Sequence, residues 1–277
     1  MNLSQNLVMK LLLILILSVS SFPLHAENNG DKHVYTVGIV PQQTPSKLAR
    51  TWVPLLKLIT KQTGLRFKFR TAKDIPAFEE RLKNGVYDIV YMNPAHYTYF
   101  HEKSGYQAFA KAKNKKIKGI IVVHKDSDIS SIEQLANHKI AFPSAGAFAA
   151  TILPRSELDK LNIPYTPEYV YSHDSVYSNI VLGRYEAGGG VIRTLNTTEQ
   201  KTKDMLKVLV TTKGYTPHAF AAKKTLAQDV VMKFQSQLLS LESSDEGLKI
   251  LNKLHLQGIE AANDSDWDDV RMLKINY

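Results

Sequence analysis

The chain reads as an α/β protein built as two lobes, with a central cleft and two crossings between them. Three observations predict this. Short apolar strands alternate with helical stretches, an order that implies parallel strands joined by right-handed crossovers. The pattern restarts after a turn-rich break at Lys125-Asp126-Ser127-Asp128, and a second break falls at Gly214-Tyr215-Thr216-Pro217. Two strand-to-helix junctions, at Asn93-Pro94 and at Pro143-Ser144, point backbone N–H groups to the carboxyl end of a sheet, where open α/β folds hold ligands. The breaks assign residues 34–123 plus 214–277 to one lobe and residues 125–212 to an inserted lobe, an arrangement suited to hinge closure.

The elements follow in order. Val34 to Val40 is an apolar strand ended by Pro41, and a helix runs from about Ser46, its expected cap, to Gln62, stopped by Gly64. Pro54 inside it is expected to kink it. Leu65 to Arg70 alternates as a half-buried strand, Ile75 to Lys83 is a short helix, and Tyr87 to Tyr91 is a strand broken by Asn93-Pro94. Gly119 to His124 is a fully apolar strand. A short helix from Ser131, a strand at 139–142, a helix at 145–161, a strand at 169–171 and a helix at 174–182 come next. Strands at 187–191 and 206–211 and helices near 225–241 and 244–254 complete the set, with an acidic tail from Gly258 wrapping back over the first lobe.

Composition narrows the function classes. Lys10, an apolar run from Leu11 to Leu17 continuing through Val19, and small residues ending in Leu24-His25-Ala26 make a secretory signal over residues 1–26, with cleavage expected after Ala26. Leu24 is not the ideal residue at that site, so retention of the segment as an anchor stays open. The chain has no cysteine, which excludes disulfides, thiolate metal sites and attachment through a lipidated cysteine. About 250 residues remain, enough for two modest lobes, and 44% hydrophobic content supports a packed core. The formal charge of +9, or +8 once Lys10 is lost, favours capture of anions. The dense run Lys111 to Lys118 reads as a solvated loop between strands. It lacks the aromatic or glycine interleaving that nucleic-acid binding needs.

Candidate site residues fall at the junctions. Ser144, Ala145, Gly146 and Ala147 form a small-residue loop before a helix, where amides can approach an anion and the helix end adds partial positive charge. An ordinary capped helix packed closely on its sheet has the same pattern. In Tyr171-Ser172-His173-Asp174-Ser175, His173 falls on the cleft side of a third junction, with Asp174 or Ser175 as cap, though a lone histidine is often structural. Three glycines, 188–190, within a strand mean close backbone approach or a bulge. Arg193 at that strand's exit can hold an oxyanion by two parallel hydrogen bonds, or pair with a surface carboxylate. Nucleophile elbows, metalloprotease motifs and phosphate-cradling loops with lysine are missing, so no enzyme activity, cofactor or metal is expected.

Taken together, Gly38-Ile39-Val40-Pro41, Gly85-x-Tyr87-Asp88-Ile89-Val90 leading into Asn93-Pro94 and Tyr97, Ala141-Phe142-Pro143-Ser144, Ser172-His173-Asp174-Ser175 and Gly183-Arg184-Tyr185-Glu186-Ala187-Gly188-Gly189-Gly190 resemble the periplasmic solute-binding proteins of phosphate/phosphite/phosphonate ABC importers over nearly the whole mature chain. The resemblance implies the type II periplasmic-binding fold and a non-catalytic receptor that delivers a small oxyanion to a membrane permease. It further implies an anion held by hydroxyls and backbone at the second-lobe helix, with the histidine of the Ser-His turn and first-lobe aromatics closing over it. On that model Tyr91, Asn93 and Tyr97 form the first-lobe wall. Ser144, Ala145, Gly146, Ala147, His173, Ser175 and Arg193 form the anion seat. Two departures bear on the ligand. The hydroxyl-rich run of phosphonate-binding relatives is reduced to Ser144, and the glycine strand leads to Arg193 where relatives that hold an aminoalkyl group use acidic side chains. A periplasmic monomer without nucleic-acid partners is expected. A sensor of the same fold that signals to a membrane kinase is the alternative.

Overall fold

A computed structural model describes residues 33–273 and Ile275; the signal segment lies outside the described residues. Two mixed sheets form the frame. The first contains β1 (Val34–Ile39), β2 (Arg66–Arg70), β3 (Ile89–Met92), β4 (Tyr106–Ala112), β10 (Ala219–Lys223) and β11 (Ile259–Ala261), in the order β11-β4-β10-β3-β1-β2. The second contains β5 (Ile120–His124), β6 (Lys139–Phe142), β7 (Thr166–Tyr169), β8 (Ala187–Gly190) and β9 (Leu206–Thr211), in the order β7-β6-β8-β5-β9. The strands β1, β2 and β3 are parallel, as their helical crossovers require, while β10 runs antiparallel between β3 and β4.

The helices of the first sheet show how local sequence sets their ends. Helix α1 (Pro45–Thr63) starts at Thr44 with Pro45 in its first turn, so Ser46 lies inside the helix and is not its cap. The helix runs through half-buried Pro54 and stops at Gly64, whose left-handed φ of 72° lets its N–H reach Thr60 O. Helix α2 (Ile75–Lys83) is capped by Asp74, and α3 (Pro94–Ser104) by Asn93, whose side chain accepts from His96 N at 2.8 Å. Trp52, Leu55, Phe78, Tyr87 and Phe220 are among the residues that make this core.

The strand at 119–124 differs from the sequence reading in its sheet. β5 pairs antiparallel with β8 and β9, with Val122 opposite Gly188 and Val208, and so shares the second sheet with Ile140 of β6. Its odd and even residues face two separate clusters, Ile121 and Val123 with Phe142, and Ile120 and Val122 with Val176 and Tyr177. The break at 125–128 is a turn within this sheet, where Lys125 N donates to Met205 O at 2.9 Å. Polar turn residues end a strand whichever sheet follows, so they did not mark a crossing. The passage between sheets runs instead through 113–119 and 212–218, which lie side by side. Ile117 and Tyr215 exchange backbone hydrogen bonds, and Gly119 N donates to Thr212 Oγ1 at 2.9 Å.

In the second half, a π turn (Phe148–Ile152) leads into α4 (Leu153–Lys160), and α5 (His173–Val181) is capped by Ser172. Short helices α6 (Ile192–Thr197) and α7 (Gln200–Lys203) follow β8. The three glycines of β8 are a close-packing device. A Cβ at Gly189 would fall inside the contact radius of Ala150 O, and one at Gly190 would crowd the Tyr177 ring. Helices α8 (Gln228–Leu239) and α9 (Asp245–Leu254) return to the first sheet, and β11 pairs with β4. The tail continues through α10 (Asp268–Arg271), with Trp267 fully buried and its Nε1 donating to Pro217 O. No helix among the described residues is long and apolar enough to cross a membrane.

Candidate functional site

Arg193 occupies the first turn of α6, immediately after the exit of β8. Its guanidinium donates to the side-chain oxygen of Gln42, which follows β1. The Gln42 amide nitrogen in turn donates to His218 Nε2 at 3.1 Å, which places that ring's proton on Nδ1. His218 stacks on Tyr91 at the end of β3, with ring centroids 5.0 Å apart and planes 16° from parallel. Tyr91 also packs against Trp52 and Phe220, so the floor is rigid and apolar. Two cavities of about 410 and 440 Å³ adjoin this group, and Gln42, Tyr91, Arg193, Thr197 and His255 line both.

Their walls are cationic. Lys47, Arg50 and Lys253 line the first cavity and Lys115, Lys116 and Lys118 the second, and neither has an aspartate or glutamate in its lining. Burial, and then the charge of Arg193, hold His173 down at about 4 and His218 well below its ordinary value, so both rings are neutral at neutral pH. Burial pushes the Tyr91 hydroxyl up. Lys115 is lowered to about 8 by burial and by Arg193. The fixed positive charge at the centre is therefore Arg193.

A much smaller enclosed space, about 10 Å³, lies deeper between the sheets. Asn93, Ala147, Phe148, Ala149, Ala150, His173 and His218 are among its walls. The first backbone bonds of the helical stretch that starts there are donated by Thr151 and Ile152 to Ala147 O, which leaves the amides of 148–150 ahead of the first turn, the usual orphan donors of a helix start. His173 Nδ1 contacts Thr194 Oγ1 at 3.3 Å.

The residues expected from sequence thus separate into groups. Tyr91 and Arg193 line the open cavities, whereas Asn93, Ala147 and His173 line the enclosed space. Ser144 is buried with its hydroxyl unpartnered, and its carbonyl accepts from Thr151 Oγ1. Ala145 and Gly146 face another cavity beside Glu79, and the Gly146 carbonyl accepts from Asn93 Nδ2 at 3.0 Å. Tyr97 lies away from the cleft. Its hydroxyl donates to Asp264 at 2.7 Å and its ring packs on Trp267, because α3 turns that position toward the C-terminal tail. Ser175 hydrogen-bonds the cap residue Ser172 at 2.8 Å and lines none of these cavities, so it serves the start of α5. Gln42, His218, Lys115 and His255 were not singled out from sequence. Gln42 follows directly on Gly38-Ile39-Val40-Pro41, and His218 directly on the break at 214–217, positions that a search of strand exits would have reached.

Comparison with known proteins gives a consistent picture. A family model described as ABC transporter, phosphonate, periplasmic substrate-binding protein matches residues 37–267. The phosphate-import protein PhnD of Mycolicibacterium smegmatis is 22% identical, covering 92% of this chain and 89% of its own length. Among solved structures, PhnD1 of Prochlorococcus marinus in complex with methylphosphonate superposes with a TM-score of 0.80 at 17% identity, covering 87% of this chain and 96% of that one. A binding protein component of an ABC phosphonate transporter from Pseudomonas aeruginosa gives 0.78 at 16% identity, with 88% and 86% coverage.

Proposed function

This chain belongs to the periplasmic substrate-binding proteins of phosphonate ABC transporters, and from that premise we propose that it captures a small phosphorus oxyanion carrying no amine, anchored on Arg193. Membership implies a small anionic ligand, a membrane permease as partner and an extracytoplasmic location. The proposal adds the chemistry of the seat. One observation carries it: Arg193 sits between two cavities whose linings hold several cations and no carboxylate. An aminoalkyl phosphonate would bring an ammonium into this field with nothing to receive it, whereas phosphate, phosphite or a simple alkyl phosphonate brings only negative charge.

Around Arg193, the Gln42 amide and the face of Tyr91 supply the first-sheet wall, and neutral His218 positions Gln42. The amides of 148–150, with Asn93, Ala147 and His173, offer a second set of donors if the lobes part enough to widen the space between them. The two sheets, with 33–112 and 219–273 on one side and 120–211 on the other, act as lobes hinged at 113–119 and 212–218. The protein acts as a monomer, does not transform its ligand, and is released after Ala26. Calorimetric titration of the mature protein with phosphate, phosphite, methylphosphonate and 2-aminoethylphosphonate tests the reading. Binding of at least one of the first three, with 2-aminoethylphosphonate weakest, is expected. Preference for the amine-bearing compound contradicts it.

A further inference from the structure

The cavity bounded by Lys115, Lys116 and Lys118 is built for more than a bare oxyanion. At about 440 Å³ it falls in the size range of pockets for whole organic ligands, roughly 300–1,000 Å³. Its lining mixes apolar walls, from Ile117, Val191, Ile192 and Pro217, with cations at Arg193, Lys115 and Lys118. Lys116 is answered by Asp269, 3.4 Å away. Arg193, Lys115 and Lys118 have no carboxylate within ion-pair distance among the described residues, and Lys115 Nζ donates only to the His255 carbonyl at 2.9 Å. Like charges gathered on one wall repel one another, and an anion placed among them removes that repulsion. Ile117, between Lys115 and Lys118, exchanges backbone hydrogen bonds with Tyr215, which ties the two crossing segments to each other at this point.

Resting on the Arg193 reading above, we infer that the preferred ligand is a phosphorus oxyanion with an organic body that carries a second anionic group, the body lying on Ile117, Val191 and Pro217 and the second anion on Lys115 and Lys118. Partial burial makes Lys115 the stronger of the two contacts, since an ion pair gains as water is excluded. Lys118 is exposed and adds less.

Three probes of graded chemistry test this: methylphosphonate, propylphosphonate and 3-phosphonopropionate, titrated calorimetrically into the wild type and a Lys115→Gln/Lys118→Gln double variant. The wild type should bind 3-phosphonopropionate about tenfold or more tighter than propylphosphonate, the size of one charged hydrogen bond. The double variant should bind those two compounds alike, with a melting temperature close to wild type as the control for folding. Equal affinities in the wild type, or a preference that survives in the double variant, would overturn the inference. Methylphosphonate binding without any carboxylate preference overturns this inference alone. Failure of all three to bind also overturns this inference, and the Arg193 reading falls with it only where phosphate and phosphite fail to bind as well.

Discussion

The open region around Arg193 and the seam where Asn93 meets Gly146 hold the same kinds of group, yet they behave differently. At the seam, small residues bring two elements into contact. Asn93 Nδ2 donates to Gly146 O, a Cβ at Gly146 would collide with the Glu79 carboxylate, and the space that Asn93 lines is only about 10 Å³, while Gly146 itself borders a separate cavity of about 760 Å³. Around Arg193 the contact across the cleft is made by side-chain ends, Arg193 to Gln42 and Gln43 Nε2 to Thr197 Oγ1 at 3.2 Å, with cavities on both sides. Small residues at a helix start are therefore ambiguous. They admit a ligand or they admit a neighbouring element, and at Gly146 the neighbour is Asn93. Around Arg193, just past a strand exit, cavities remain on either side of the side chain.

The comparison is broken most severely through the glycines under the seam. Gly189→Ala should cost on the order of 1–3 kcal/mol or more, because the clash is with the backbone oxygen of Ala150 and the helix start must move. A drop of several degrees in melting temperature checks this, and an unchanged melt would remove the close-packing account of β8.

The pH dependence of stability comes next. His173 titrates near 4 in the folded protein against an ordinary value of 6.5. The unfolded chain then binds the extra proton between those values, so stability is full above about 6.5 and declines as pH falls toward 4. His218 acts in the same direction. Chemical denaturation from pH 7.5 to 4 should show this slope, and it should be shallower in His173→Gln.

Smaller effects distinguish cap and tail from site. Asn93→Ala removes the cap of α3 and the bond to Gly146, and should lower stability by about 0.5–2 kcal/mol. Tyr97→Phe should lower it by about 1 kcal/mol through loss of the bond to Asp264, while affinity for methylphosphonate stays at the wild-type value. A weakened affinity in Tyr97→Phe would return that residue to the site.

Much of this is legible in the sequence. Strand-to-helix junctions at Asn93-Pro94 and Pro143-Ser144, the αL stop at Gly64 and the exit of the glycine strand at Arg193 are all local signals, and local signals survive folding. β4 and β10 were not read as strands. Alanine-rich segments such as Tyr106–Ala112 and Ala219–Lys223 have weak strand preference and take their form from pairing with β3 and with each other. The sheet of β5 was misplaced because a turn sequence reports where a strand ends and not which strands it pairs. Tyr97 faces the C-terminal tail, whose docking the local sequence around α3 does not report, and Ser175 pairs with Ser172, the cap three residues before it. The lysine run 111–118 divides by contact: Lys111 and Lys113 pair with Glu260, Asp266 and Glu242, while Lys115, Lys116 and Lys118 line a cavity shared with Arg193 and His255, distant in the chain, which local sequence does not report.

The central claim is that Arg193 is the anion anchor, and titration of its variants tests it most directly. Wild type, Arg193→Ala and Arg193→Lys are titrated calorimetrically with methylphosphonate. Loss of a charged hydrogen bond amounts to about 1.5–3 kcal/mol, so Arg193→Ala should bind roughly tenfold or more weakly. Arg193→Lys should recover only part of this, since an ammonium cannot make the planar double contact. Wild-type affinity in Arg193→Ala would contradict the account and move the anion away from this residue.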